Sequence, residues 1–283
     1  MAEIGVLFKE VIVITQEEKV EIVNRSLQDM VDLRPYSQII MDDNLVQILT
    51  KTDYSILRNA VFWSVLDGSN AEETVKRIIA KYKEMKLSFR WVVCPGSEPG
   101  NLLDVLIGNG FRTVPNGFPG AGMVASYHTI KRQNITHIQD HFSIQVVEKN
   151  EQIGDFVRIM GACFQYTVDN SKFLRTAIYD DILAQPKRLW YFLVDYDSEP
   201  IGILAVRVYS EGFAYLSAGA VIPEYRRKGA LKFLGNHVIE FLRDMGITTY
   251  TTQTLPNTSE NLCQKFGFET VCQVDTMICL YGQ

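Results

Sequence analysis

A chain of 283 residues, 47% hydrophobic and 22% charged, suits one large domain or two ordinary ones with proper cores. Its net charge of −5 argues against a general nucleic-acid binder, and no apolar run approaches the roughly 20 residues that span a bilayer. Five scattered cysteines form no Cys-x-x-Cys pair, the four histidines lack metal-ligand spacing (His137 and His141 flank a linker-like stretch), and residues 1–10 lack a signal-peptide pattern. The expectation is a cytoplasmic protein with reduced thiols and no metal.

In chain order, residues 17–33 place Val20, Ile22, Val23, Leu27, Met30, Val31 and Leu33 at helical spacing before Pro35. Residues 43–49 are expected to form a short helix. Residues 60–66 read as a buried strand stopped by Asp67 and Gly68. Ser69 or Asn70 can cap the next helix, with Glu72 and Glu73 in its first turn and Val75, Ile78, Ile79 and Tyr82 on its core face. A strand at 89–94, a short helix at 101–107, an extended piece at 111–114 and a strand at 123–127 follow. The glycine-rich residues 117–122 read as a tight turn, since no strand-to-helix context supports a nucleotide loop. Residues 131–141 are polar and aperiodic, which divides the chain into domains 1–130 and 140–283.

The second half opens with a strand at 142–147, a helix at 150–164 carrying Ile153, Phe156, Val157, Met160 and Phe164 on one face, and a helix at 171–184. Strands at 189–195 and 200–209 join through a short turn, as an antiparallel pair would, and a third spans 213–222. A basic loop leads into a long helix at 231–245, followed by a strand at 247–252, a helix at 259–266 and one or two strands within 268–281.

The halves end alike. Met85-Lys86-Leu87, strand, short helix and Gly110-Phe111-Arg112-Thr113-Val114 match Met245-Gly246-Ile247, strand, short helix and Gly267-Phe268-Glu269-Thr270-Val271. The shared order points to two copies of one α/β fold. They differ where a strand feeds a helix: the first copy offers Asp67, Glu72 and Glu73, the second Arg226, Arg227 and Lys228 before Gly229. Backbone N–H groups at a helix start lack intrahelical partners and suit a phosphate, provided the local charge agrees. A phosphorylated cofactor is therefore expected in the second half alone.

Val221-x-Pro223-x-Tyr225-Arg226-Arg227-Lys228-Gly229-Ala230 resembles the pyrophosphate loop of the GNAT superfamily of acyl-CoA N-acyltransferases, Arg/Gln-x-x-Gly-x-Gly/Ala after Val-x-Pro. Leu231 stands where the family usually has Gly or Ala. Leu262-Cys263-Gln264-Lys265-Phe266-Gly267-Phe268 resembles the family's Leu-Tyr-x-x-x-Gly-Phe. The match covers roughly residues 142–281, and residues 91–111 suggest a diverged, degenerate second copy, as in tandem members. The resemblance implies an α/β (α+β) fold of two GNAT-like domains, each a mixed, mostly antiparallel sheet flanked by helices. It implies acetyl-CoA or another acyl-CoA as co-substrate, lying between strands 213–222 and 247–252. Ala220, Val221 and Ile222 would meet the pantetheine arm, and Arg226, Arg227, Lys228, Gly229, Ala230 and Leu231 would surround the pyrophosphate. A primary amine, small molecule or peptide, would attack the thioester directly, with neither nucleic acid nor membrane as partner; a homodimer is allowed.

The family's acidic tyrosine falls at Cys263, which could instead be a small packing residue. No base stands out; Glu211, Asp169, Tyr215 and Ser217 are candidates. The alternatives are a non-catalytic acyl-CoA-binding or sensor protein and an interaction module built on the first half.

Overall fold

The computed structural model describes residues 14–28, 37–42, 44–50, 59–113, 120–136, 139–164, 168–184, 186–256 and 258–282. The expected helix end at 29–35, the start of the glycine-rich turn (117–119) and His137 lie outside them.

The first sheet contains β1 (Ser37–Asp42), β2 (Leu45–Thr50), β3 (Ala60–Ser64), β4 (Phe89–Val93) and β5 (Arg112–Thr113). Its helices are α1 (Gln16–Gln28), α2 (Ala71–Glu84) and α3 (Leu102–Gly108). The second half supplies β7 (Phe142–Val146), α4 (Asn150–Phe164), α5 (Val168–Leu183), β8 (Leu189–Tyr196), β9 (Glu199–Val208) and β10 (Phe213–Val221). It continues with α6 (Ala230–Asp244), β11 (Thr249–Thr254), α7 (Ser259–Lys265) and β12 (Glu269–Gln273). Two further strands, β6 (Ala121–Ser126) and β13 (Asp275–Cys279), change sides.

The sheet orders are β1-β2-β3-β4-β13-β5 and β12-β6-β11-β10-β9-β8-β7. In each, an antiparallel meander ends in two parallel strands joined by a crossover helix: β3, α2 and β4 in the first, β10, α6 and β11 in the second. The next strand comes from the other half. β6 lies between β11 and β12, and β13 between β4 and β5. Each inserted strand joins its host's core: Ala121, Met123 and Ala125 pack with Leu234, Val238 and Tyr250, while Met277 and Cys279 pack with Trp91, Phe89 and Tyr82. Residues 131–141 therefore lie between the two meanders, but the last strand of each half, β6 or β13, belongs to the other half's sheet. Periodicity cannot show this, because a strand has the same pattern whichever sheet receives it.

The expected helix at 43–49 is instead β2. Leu45, Val46, Ile48 and Leu49 are all buried, Leu45 and Leu49 in the core under α2 and Ile48 in the core shared with α1. A strand covered by a helix on each face of its sheet buries both faces and loses the alternation that identifies strands. The core face of α2 is Ala71, Val75, Ile78, Ile79 and Tyr82, as its spacing predicts.

Candidate acyl-CoA cleft

β10 and β11 pair over four positions, from Phe213 with Thr249 to Leu216 with Thr252, and then part. The cause lies in β10. Its pairing with β9 shifts register between Ser217 and Ala220, and Ala218 adopts φ +55°. Such a bulge bends one strand away from its neighbour. Gly202 on β9 permits the close approach there, since a Cβ would stand 3.0 Å from the Ala220 carbonyl oxygen. The result is a V with its apex at Leu216 and Thr252.

At the mouth of the V, β10 passes through a short helical turn, Pro223–Tyr225, into α6. Arg227 (φ +65°) and the N-cap Gly229 (φ +98°) both adopt left-handed backbone, the conformation that only glycine takes without strain. The reversal leaves five successive backbone N–H groups, from Arg227 to Leu231, without a carbonyl acceptor among the described residues. They stand at the positive end of a 15-residue helix. This is an anion cradle made of backbone.

The three cations have separate places. The Arg226 Nε–H donates to the Val221 carbonyl (3.0 Å), fixing the turn, and its guanidinium lies beside the Cys163 thiol of α4. Lys228 Nζ sits 4.6 Å from the ring centres of both Tyr196 and Tyr225, and the Tyr225 hydroxyl donates to Glu199 (2.6 Å). Arg227 is exposed. Two of the three therefore brace the loop. Ala230 is buried and Leu231 packs at the edge of the core. Ala220 and Val221 are in register with Ile203 and Gly202 of β9, and the Ile222 N–H donates to Ile201, so it faces β9 rather than the cleft.

The first half has the same plan and closes it. Where β3 and β4 would part, the segment after β4 returns. The Glu98 N–H donates to the Ser64 carbonyl and the Leu66 N–H to the Glu98 carbonyl, both at 3.0 Å. At the entrance to α2, Asp67 accepts from Ser69 (2.9 Å) through its side chain and from Asn70 (3.0 Å) through its carbonyl. The backbone and side-chain hydrogen bonds from Ser69 hold the Asp67 carboxyl below its usual range. Two of the amides that would meet a phosphate, those of Ser69 and Asn70, are thus partnered, next to a fixed negative charge.

Cys263 lies on α7, half-buried against the core under α6. Burial pushes its thiol up to about 11, so it stays protonated at neutral pH. It is no nucleophile, and giving its proton to a departing thiolate of pKa about 8.5 runs uphill. Among the base candidates, Glu211 precedes β10 at the end opposite the loop, about 20 Å of strand away from the bulge, and accepts from the Ser210 hydroxyl. Burial pushes the Tyr215 phenol up, making it a donor rather than a base. Ser217 is half-buried, just past the apex, and the side chain of Asp169 lies outside the described residues.

Sequence reading missed three residues on the α4–α5 face of this sheet. The buried Asp181 of α5 accepts from the Tyr191 hydroxyl at 2.5 Å. Arg207 of β9 is buried, directly opposite Tyr215. Its signal was present: it is the sole charge in the otherwise apolar run from Ile201 to Val208. Among the described residues no cluster of histidine, cysteine or carboxylates could hold a metal, and no helix is long and apolar enough to cross a membrane.

Residues 154–268 match the family model described as acetyltransferase (GNAT) family. A search of curated proteins found no match. Among solved structures, a GCN5-related N-acetyltransferase from Kribbella flavida is similar over 92% of this chain and 95% of its own, at 17% identity and TM-score 0.65. A tandem GNAT protein from the clavulanic acid biosynthesis pathway is similar over 92% and 88%, at 10% identity and TM-score 0.60. A GCN5-related N-acetyltransferase from Sphaerobacter thermophilus is similar over 90% and 84%, at 10% identity and TM-score 0.62. These identities establish a shared fold. Residues 154–268 form a domain of the acetyltransferase (GNAT) family, in a chain whose two sheets together have the tandem GNAT fold.

Proposed function

We propose that the C-terminal half transfers an acetyl group from acetyl-CoA to a primary amine, and that the N-terminal half binds no acyl-CoA. The observation behind this reading is the contrast between the copies. The second has a splayed strand pair ending in five open amides, whereas the first has its strand edge closed by Glu98 and two of its entrance amides already bonded to Asp67. A pyrophosphate satisfies donors that otherwise need water, and an extended pantetheine can pair with the free edge of β10. The amine then attacks the thioester carbonyl. Its proton leaves through the cleft, and the departing thiolate takes a proton from water. Arg227, Lys228, Gly229, Ala230 and Leu231 supply the cradle, while Arg226 holds its shape.

The copies also provide the test. Ala71 and Ala230 each begin their crossover helix, so Leu231 and Lys232 correspond to Glu72 and Glu73. Leu231→Glu with Lys232→Glu gives the second half the entrance of the first. Acidic groups in a first turn favour the helix but repel a pyrophosphate. Calorimetry should show one CoA per wild-type chain and at least a hundredfold weaker binding by the double variant, with Tm unchanged. Two CoA per chain, or undiminished affinity in the variant, would overturn this reading. CoA binding with no transfer to any of a broad amine panel would favour a sensor over an enzyme.

A further inference from the structure

We propose that the acceptor amine also carries an anionic group, a carboxylate or a phosphate, and that Arg207 binds it. This rests on the acetyl-transfer reading and names its substrate class. Arg207 is 8% exposed, yet its Nε and Nη1 have no hydrogen-bond partner and no carboxylate pairs with it among the described residues. A buried cation without a counter-charge is costly, and a protein keeps one where a ligand supplies the charge.

Its position fits the acceptor rather than the donor. The strand registers put Arg207, Tyr215 and Thr251 in one row across β9, β10 and β11, with their side chains on one face. That row adjoins Leu216 and Thr252, the apex of the V, so Arg207 stands one strand from where a thioester would lie. Gln253 follows on the same face of β11, and its Nε2 is also buried without a partner. The Thr251 hydroxyl donates to the Met123 carbonyl and is committed. Arg90 of β4, its guanidinium 5.0 Å from the centre of the Phe62 ring, adds positive charge from the other half. Arg90 and then Arg207 act on the Tyr215 phenol, drawing it down against the larger upward effect of burial. Two guanidiniums thus act on one protonated phenol beside the apex, with an amide donor next along the same face of β11, a set that recognises an anion.

The test compares matched acceptors in acetyl-CoA turnover: an α-amino acid against its carboxamide, and phosphoethanolamine against ethanolamine. At least one anionic member should exceed its neutral partner tenfold or more in kcat/KM, and the pair that shows it identifies the anion. Arg207→Gln should raise KM for that acceptor by about tenfold to a hundredfold and bring the ratio near one, while Arg207→Lys keeps part of the preference. Neutral acceptors that match or outperform the anionic ones, or a ratio unmoved by Arg207→Gln, would overturn the proposal. A separate arm does not depend on turnover. The same amines are titrated into wild-type protein by calorimetry, where saturable binding of an anionic acceptor, weakened in Arg207→Gln, supports the site and its absence for every anionic acceptor refutes it. Failed acetyl transfer with intact anion binding would sink the reaction and leave the site standing.

Discussion

The exchanged strands make a prediction that no independent pair of domains would share. Met277 belongs to the C-terminal half of the chain but lies in the middle of the N-terminal sheet, opposite Trp91 on β4 and Thr113 on β5. It is 1% exposed and packs with Leu49, Val61, Val75 and Phe89. Truncating a fully buried methionine to alanine costs about 2–5 kcal/mol, through lost transfer energy and the cavity left behind. Taking about 3 kcal/mol, and roughly 2–4 °C per kcal/mol for a domain of this size, Met277→Ala should lower Tm by on the order of 6–12 °C. Met277→Leu, which conserves volume, should cost under about 1.5 kcal/mol. Hydrogen exchange measured by mass spectrometry locates the loss. Protection should fall first in α2 and β4, residues 71–93, ahead of β8 and β9, residues 189–208. A loss confined to β6, β11 and β12 would mean that β13 is seated in the other sheet, and the exchanged topology would be wrong.

Two further outcomes follow from buried titratable groups. Because burial holds the Cys263 thiol up near 11, Cys263→Ser should keep kcat/KM within about threefold, and pH–rate profiles of variant and wild type should superimpose from pH 6 to 9; a lost inflection or a collapse of rate would make Cys263 catalytic. His237 on α6 touches Phe192, and burial draws its imidazole below the ordinary value of about 6.5. The folded state therefore disfavours the proton, so this stability contribution is complete above the unfolded value and is lost as pH falls toward the lowered folded one. His237→Gln should flatten the decline of urea midpoints between pH 7 and 5, and an unchanged slope would assign the acid sensitivity elsewhere.

What the sequence disclosed depended on whether a feature was local. The α2 core face, the β8–β9 hairpin, the basic loop and the Gly-Phe ends all follow from spacing and turn chemistry within short windows. β2 was misread because both its faces are buried, leaving apolar residues at 45, 46, 48 and 49 that fit a helix as well as a strand. The exchanged strands were invisible because partner choice is set by tertiary register. The loop cations drew attention for their charge, whereas the fold assigns Arg226 to a carbonyl and Lys228 to two aromatic rings. Arg207 was legible as an isolated charge in an apolar strand, but its meaning needed the row it shares with Tyr215 and Thr251.

The two copies differ less in charge than in who satisfies the backbone. A parallel strand pair that parts leaves N–H and C=O groups that need partners, and a helix entrance leaves more. In the first half, Glu98 fills the gap beside Ser64 and Leu66, and Asp67 takes two entrance amides, those of Ser69 and Asn70. In the second half the bulge at Ala218 holds the gap open, and no carbonyl returns to the cradle. The closed copy is not dispensable, because β6 and β13 tie each sheet to a strand of the other and keep the face of the first sheet that bears Arg90 near Tyr215. A half without its own cofactor cleft can thus serve as a wall for the acceptor of the other, a role that needs charge and shape but no open backbone.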